Sequence, residues 1–247
     1  MLRMLPSQWI LVYQFGALWG VENEQAMLLS AAGILLCAVI GYLLGSLNSA
    51  IIISHVFLRR DIRAHGSGNA GTTNMLRTYG TKYAVMTMVF DMLKGIVATA
   101  LGFAVFAMNG AAIAGFFCVL GHMFPIYYRF KGGKGVATTA MVALMLDPWT
   151  FLVMLFVFVA IILMTRFVSL ASVMCAFLYP LLLNAFFPAP YKVEGVLIPT
   201  GKGLVVLMGL LTTAFVVFMH RENIKRLWNG KESKVSFSRK KKDGEAS

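Results

Sequence analysis

The chain has 247 residues, 59% of them hydrophobic and 13% charged, with a mean hydropathy of +0.76. A soluble domain of this length carries about 25% charged residues, so a large water-exposed globule is excluded and a polytopic membrane protein is indicated. The net charge of +12 sits in short loops between apolar runs, which suits membrane topology and contact with anionic lipid and speaks against a nucleic-acid partner.

Residues 1–25 read as an N-terminal extension. Met4–Gly20 is apolar but contains Ser7, Gln8 and Gln14, and a marginal extra span and an interfacial helix both fit. No small-residue cleavage site precedes Glu22, which disfavours a secretory signal. Residues 26–232 form the integral membrane domain, with apolar runs at 31–57, 84–107, 111–128, 136–147, 149–165, 168–187 and 204–219. The fold class is therefore all-α, with about seven transmembrane helices. The fourth run is short for a span, and Asp147-Pro148 marks its end. Residues 233–247 make a basic tail that includes Arg239-Lys-Lys-Lys242.

Lys and Arg are distributed unevenly. With the first run crossing from outside to inside, one side receives Arg59, Arg60, Arg63, Arg77, Lys82, Arg129, Lys131, Lys134, Arg166 and the tail. The other side receives Lys192 and Lys202, with Arg3 undecided. The positive-inside rule places the first group in the cytoplasm. Cys37, Cys118 and Cys175 each lie in an apolar run without CxxC spacing, so they read as buried small hydrophobes. The four histidines are scattered and form no metal-ligand pattern. No cofactor is expected.

Three polar segments fall on the cytoplasmic side. In His65–Arg77, Gly66, Gly68 and Gly71 allow positive φ and close approach of backbone amides to an anion. Ser67, Asn69, Thr72, Thr73 and Asn74 add hydrogen-bonding groups, and Arg77 can grip a phosphate with two N–H groups. Each residue alone would suit an ordinary turn; their density in one loop favours a site. In Lys131–Thr138, Gly132, Gly133 and Gly135 uncover the first amides of a helix, and Lys134 adds a point charge. Gly135 follows the lysine where a Walker loop needs Ser or Thr. A basic turn obeying the positive-inside rule is the plainer alternative. In His220–Glu232, His220, Asn223 and Arg226 recur at helical spacing, as do Ile224 and Leu227. That pattern predicts an amphipathic helix along the membrane, with headgroup anchoring as its simpler role. Asp91 and Lys94 share one helix face inside an apolar run and read as a structural ion pair, while His122 reads as a satisfied structural histidine.

Taken in order over about residues 35–232, these segments resemble the bacterial membrane acyl-phosphate:glycerol-3-phosphate acyltransferase family. Gly41–Ser46, Phe90–Gly95, Gly121–Pro125 and Val168–Ser172 extend the match beyond the three loops. The resemblance implies seven membrane helices, a cytoplasm-facing site in the cytoplasmic membrane, and acyl transfer from acyl phosphate to the 1-hydroxyl of glycerol 3-phosphate. Lysophosphatidate and phosphate would be the products. It implies phosphate binding by Ser67, Gly68, Asn69, Thr73, Asn74 and the Gly132, Gly133 and Gly135 amides. Lys134, Arg77, His220 and Asn223 would carry catalysis, with His220 and Asn223 orienting glycerol 3-phosphate. Either a substrate phosphate oxygen or His220 would take the hydroxyl proton. The implied partners are the two substrates, membrane lipids and the enzyme that supplies acyl phosphate. An HxxxxD motif is absent, since none of His55, His65, His122 and His220 has Asp five residues on. A transporter of a phosphorylated solute and a membrane scaffold are the rival readings; one-sided clustering of the polar loops counts against the first.

Overall fold

The computed structural model describes residues 23–193, 196–198 and 200–235. The expected extra or interfacial helix at Met4–Gly20 and most of the basic tail lie outside the described residues. The first apolar run is two helices, not the single span expected over 31–57: α1, Asn23–Ser46, and α2, Ser49–Leu58. Asn48 causes the break. Its side-chain oxygen accepts the Ile51 amide at 3.1 Å and caps a new helix. A short 3-10 turn, Ile62–Ala64, and α3, Thr72–Tyr79, then carry the first polar loop.

Helix α4 runs over Thr81–Met123 but reverses at Phe106 and Ala107, whose backbone is non-helical, with φ 46° at Ala107. Its two arms pack antiparallel. Gly102 and Gly110 meet beside the reversal so closely that a Cβ on either would strike the other's carbonyl. The Cys118 thiol lies against the Lys94 carbonyl at 3.6 Å. Beyond a 3-10 turn at Ile126–Tyr128 come α5, Val136–Leu146, α6, Pro148–Thr165, and α7, Val168–Phe186. Asp147 caps α6 through the Thr150 amide at 2.8 Å, with Pro148 at the first helical position. An antiparallel hairpin, β1 Tyr191–Val193 and β2 Val196–Ile198, leads to α8, Lys202–Met219, and α9, Arg221–Trp228.

Five runs among the described residues are long and apolar enough to cross a membrane, fewer than the seven expected. The expected 84–107 and 111–128 are the two arms of one continuous run, Thr81–Tyr128, which reverses at Phe106 and Ala107. Val136–Leu146 has 11 residues, roughly 16 Å of helix, against a hydrocarbon thickness of about 30 Å. The second arm of α4 lies at the centre, with Cys118, Val119 and Met123 fully buried. Gly41 and Gly45 of α1 and Gly121 of that arm let the two backbones touch. Leu35, Phe103, Phe156, Leu163 and Leu181 face outward, as lipid contact requires.

Hydrogen bonds tie the polar loops together at one end of the bundle. Ala70 donates to the Gly132 carbonyl at 3.4 Å, and Val235 donates to the Arg166 carbonyl at 2.9 Å.

Candidate functional site

The floor of the site is a buried ion network. Lys94 lies 2.9 Å from the Asp91 carboxylate and donates to the carbonyls of Gly45 and Leu47 at 3.1 Å each. Ser49 donates to Asp91 at 2.8 Å. The cation thus faces the carbonyl end of α1 and the anion faces the amide end of α2, the arrangement each helix dipole favours. The expected structural ion pair is present, and it holds the break at Leu47–Asn48 open. His122 joins it, with Nδ1 2.9 Å from Lys94 Nζ and 3.4 Å from Asp91.

Two loops lie over this floor. Asn48 donates to the Ala70 carbonyl at 3.3 Å, and Ala70 donates on to Gly132. Gly132 and Gly133 donate to the carbonyls of Met123 and His122 at 3.1 Å each. Gly135 has φ 76°, a left-handed turn that starts α5 and leaves its leading amides without partners further back in the chain. Arg63 supports the turn from outside through the carbonyls of Tyr128, at 2.8 Å, and Lys131. Its bond to Asp61 holds that carboxyl below the usual carboxylate range.

Helix α9 and the segment after it close the third side. Lys134 Nζ donates to the side-chain oxygen of Asn223. Asn223 donates to Glu232 at 2.7 Å, Ser169 donates to the same carboxylate oxygen at 2.8 Å, and Arg226 donates to the other oxygen at 2.8 Å. Burial acts to raise the Glu232 carboxyl, but these three donors hold it below its ordinary value. Burial brings Lys134 down to about 8; Glu232 opposes that shift, and the charges of Arg226 and Arg77 reinforce it. Lys134, Arg77 and Arg226 therefore feel one another around a single carboxylate, which leaves a net positive charge there. His220 lies beside them. Its Nδ1 donates to the Val216 carbonyl at 2.8 Å, which leaves Nε2 as an acceptor. Burial and then Lys134 bring its pKa down to about 4, so the ring is neutral near pH 7.

The structure thus brings Lys134, His220, Asn223, Gly132, Gly133 and Gly135 together, with Arg77 within electrostatic reach. Ser67 and Gly68 are exposed, and Asn69 and Thr73 half-buried, on the first loop. Asn74 departs from its expected role as a phosphate ligand. It is buried, its oxygen accepts the Ser67 amide at 2.9 Å, and its amide donates to the carbonyls of Ile62, His65 and Asn69 at 3.0–3.3 Å. Both ends are engaged by the loop, so Asn74 shapes the loop instead of facing an anion. Sequence reasoning gave no role to Asn48, Ser169 or Glu232. A Gly-Ser-Leu-Asn-Ser run inside an apolar stretch was the available sign of the helix break. On the far face of α9, Ile224, Leu227 and Trp228 border an apolar groove of about 760 Å³ that reaches Phe167, Phe177 and Val217, with Lys234 at its edge.

Comparison with known proteins shows what the chain is similar to. A family model described as glycerol-3-phosphate acyltransferase matches residues 35–230. A protein of that name from Bacillus subtilis is 40% identical over 204 residues, covering 83% of this chain and 98% of the relative. One from Finegoldia magna is 38% identical over 206 residues, covering 82% and 96%. Among solved structures, PlsY (YgiH), an integral membrane glycerol 3-phosphate acyltransferase in its glycerol 3-phosphate form, superposes with a TM-score of 0.72. That pair is 35% identical, over 82% of this chain and 96% of the other. The lysophosphatidic acid form gives a TM-score of 0.70 at 33% identity.

Proposed function

Because the chain belongs to the glycerol-3-phosphate acyltransferase family, we propose that the cationic cluster where the two glycine loops meet α9 is where glycerol 3-phosphate is acylated. The protein is a membrane-embedded transferase. It moves a fatty acyl group from acyl phosphate to the 1-hydroxyl, giving lysophosphatidate and inorganic phosphate. The observation that carries the site assignment is the bond between Lys134 and Asn223, which joins the second glycine loop to α9 next to His220.

In this reading the phosphate of glycerol 3-phosphate rests on Lys134 and the leading amides of α5, within reach of Arg77. Asn223 and His220 orient the glycerol. The 1-hydroxyl oxygen attacks the acyl carbonyl carbon, the carbonyl collapses back, and the carbon–oxygen bond to phosphate breaks, with phosphate taking the electron pair. Acyl phosphate is already a mixed anhydride, so a protein nucleophile is unnecessary. Positioning and charge stabilisation supply the acceleration. The low pKa of His220 makes it a weak base and favours a phosphate oxygen as the proton's destination, with His220 Nε2 accepting a hydrogen bond that aims the hydroxyl. The groove beside α9 is offered as the seat of the acyl chain.

Counting the two arms of α4 separately and including the short α5, the described residues make seven crossings, with the site at the cytoplasmic face of the cytoplasmic membrane. The positive-inside distribution and the reversal at Phe106–Ala107 support this. Cysteine labelling from the cytoplasmic side only, at a position introduced in place of Ser67, tests the orientation. Association with an enzyme that supplies acyl phosphate is tested by co-purification. The activity is tested by product formation from palmitoyl phosphate and glycerol 3-phosphate with the purified protein.

A further inference from the structure

We propose that His122 is a positioning residue for phosphate binding: it shapes the second glycine loop and so sets the affinity for glycerol 3-phosphate without touching the reacting atoms. The inference rests on the assignment of that loop to the acceptor's phosphate.

His122 ends the second arm of α4 and is 3% exposed. Nδ1 lies 2.9 Å from Lys94 Nζ and 3.4 Å from the Asp91 carboxylate, which holds the ring with Nε2 toward the glycine loop. That nitrogen occupies the space a side chain at Gly133 would need, since a Cβ there would overlap Nε2. A Cβ at Gly132 would overlap the His122 carbonyl, which accepts the Gly133 amide at 3.1 Å. Ring and backbone of one residue therefore both press on the loop.

The ring is not free to turn away. Lys94 is itself fixed by Asp91, at 2.9 Å, and by the Gly45 and Leu47 carbonyls. From there the contacts close into a circuit: Leu47 leads to Asn48, Asn48 bonds Ala70, Ala70 bonds Gly132, and the loop returns to His122. The imidazole is the one side chain in that circuit lying against the glycines. Its removal leaves a ring-sized gap under Gly133 and frees the amides that follow. It makes no hydrogen bond to Lys134, Asn223 or His220 among the described residues, so affinity should change more than turnover. A purely space-filling histidine would instead lower stability and leave the affinity of the folded protein alone.

The test uses the full-length protein in detergent, with palmitoyl phosphate as donor. In His122→Asn the amide oxygen can keep the Lys94 bond, but the space over Gly133 empties. In His122→Gln the amide nitrogen can still reach that space. His122→Asn should raise KM for glycerol 3-phosphate about tenfold with kcat within about threefold of the wild type, and His122→Gln should restore most of the loss. Glycerol 3-phosphate binding measured by calorimetry without donor should follow KM. A folded His122→Asn with wild-type KM and Kd, or one with lower kcat at unchanged KM, overturns the proposal. Should His122→Asn not fold, Gly133→Ala crowds the same ring from the loop, together with the Ala70 carbonyl, and a wild-type KM there overturns it equally. If the wild type itself makes no lysophosphatidate, the functional assignment fails first, and the inference falls through its premise.

Discussion

The ammonium of Lys134 donates to the side-chain oxygen of Asn223, 89 residues further along the chain, and this bond joins the second glycine loop to the distant helix α9. Asn223 is in turn oriented by Glu232 at 2.7 Å. A compact donor charge therefore has its direction fixed before substrate arrives, which, under the proposed site assignment, is the condition for electrostatic catalysis.

Lys134→Ala should lower kcat/KM for glycerol 3-phosphate by about 10²–10³-fold, measured by phosphate release. In the proposed function the charged form of Lys134 is the one that binds, and in the free protein that form is lost as pH rises through about 8. The kcat/KM profile should therefore fall on its alkaline side near that value. The kcat profile should fall at higher pH, because bound phosphate favours the charged amine.

Glu232→Gln should move the alkaline limb toward lower pH. The carboxylate supports the charge on Lys134, while Arg226 and Arg77 oppose it; removing the anion leaves the opposition. A profile compared at constant ionic strength checks the direction. Salt should mask part of the difference.

His220→Gln should keep turnover within about tenfold of the wild type, whereas a true general base contributes about 10²–10⁴-fold. The ring is neutral near pH 7, and its Nδ1 is committed to the Val216 carbonyl. What remains for Nε2 is acceptance of a hydrogen bond, and a glutamine amide can partly supply that. The variant's pH profile should have the wild-type shape at reduced height.

Lys94→Met should destabilise the folded protein by about 3–5 kcal/mol, because it strands a buried carboxylate. Asp91 and Lys94 side chains are 2% and 8% exposed, so screening by water is small. The double variant Asp91→Asn, Lys94→Met should lose less, since no uncompensated charge remains. Thermal unfolding in one detergent distinguishes the two.

The apolar runs, the one-sided loops, the ion pair of Asp91 and Lys94 and the meeting of Lys134 with Asn223 and His220 followed from periodicity, charge and resemblance. Asn74 did not. Its amide suits an anion and a backbone carbonyl equally, and only the fold decides which it meets. The helix break at Asn48 was hidden because hydropathy averaging smooths one polar residue into a long apolar run. The reversal at Phe106–Ala107 was legible only as a gap between runs, since neither residue is a turn former. Glu232 was passed over because a charged residue near a basic tail looks solvated, and its three donors come from Ser169, Asn223 and Arg226. The groove beside α9 could not be read at all, because lipid-facing and ligand-facing apolar residues share one composition.

The central claim is tested most directly by donor choice. The purified protein would be given glycerol 3-phosphate with either palmitoyl phosphate or palmitoyl-CoA, in the presence of EDTA, and lysophosphatidate and phosphate would be followed together. Equal amounts of both products from palmitoyl phosphate alone, lost in Lys134→Ala, is the predicted result. Product from palmitoyl-CoA alone, or full activity in Lys134→Ala, would contradict the account.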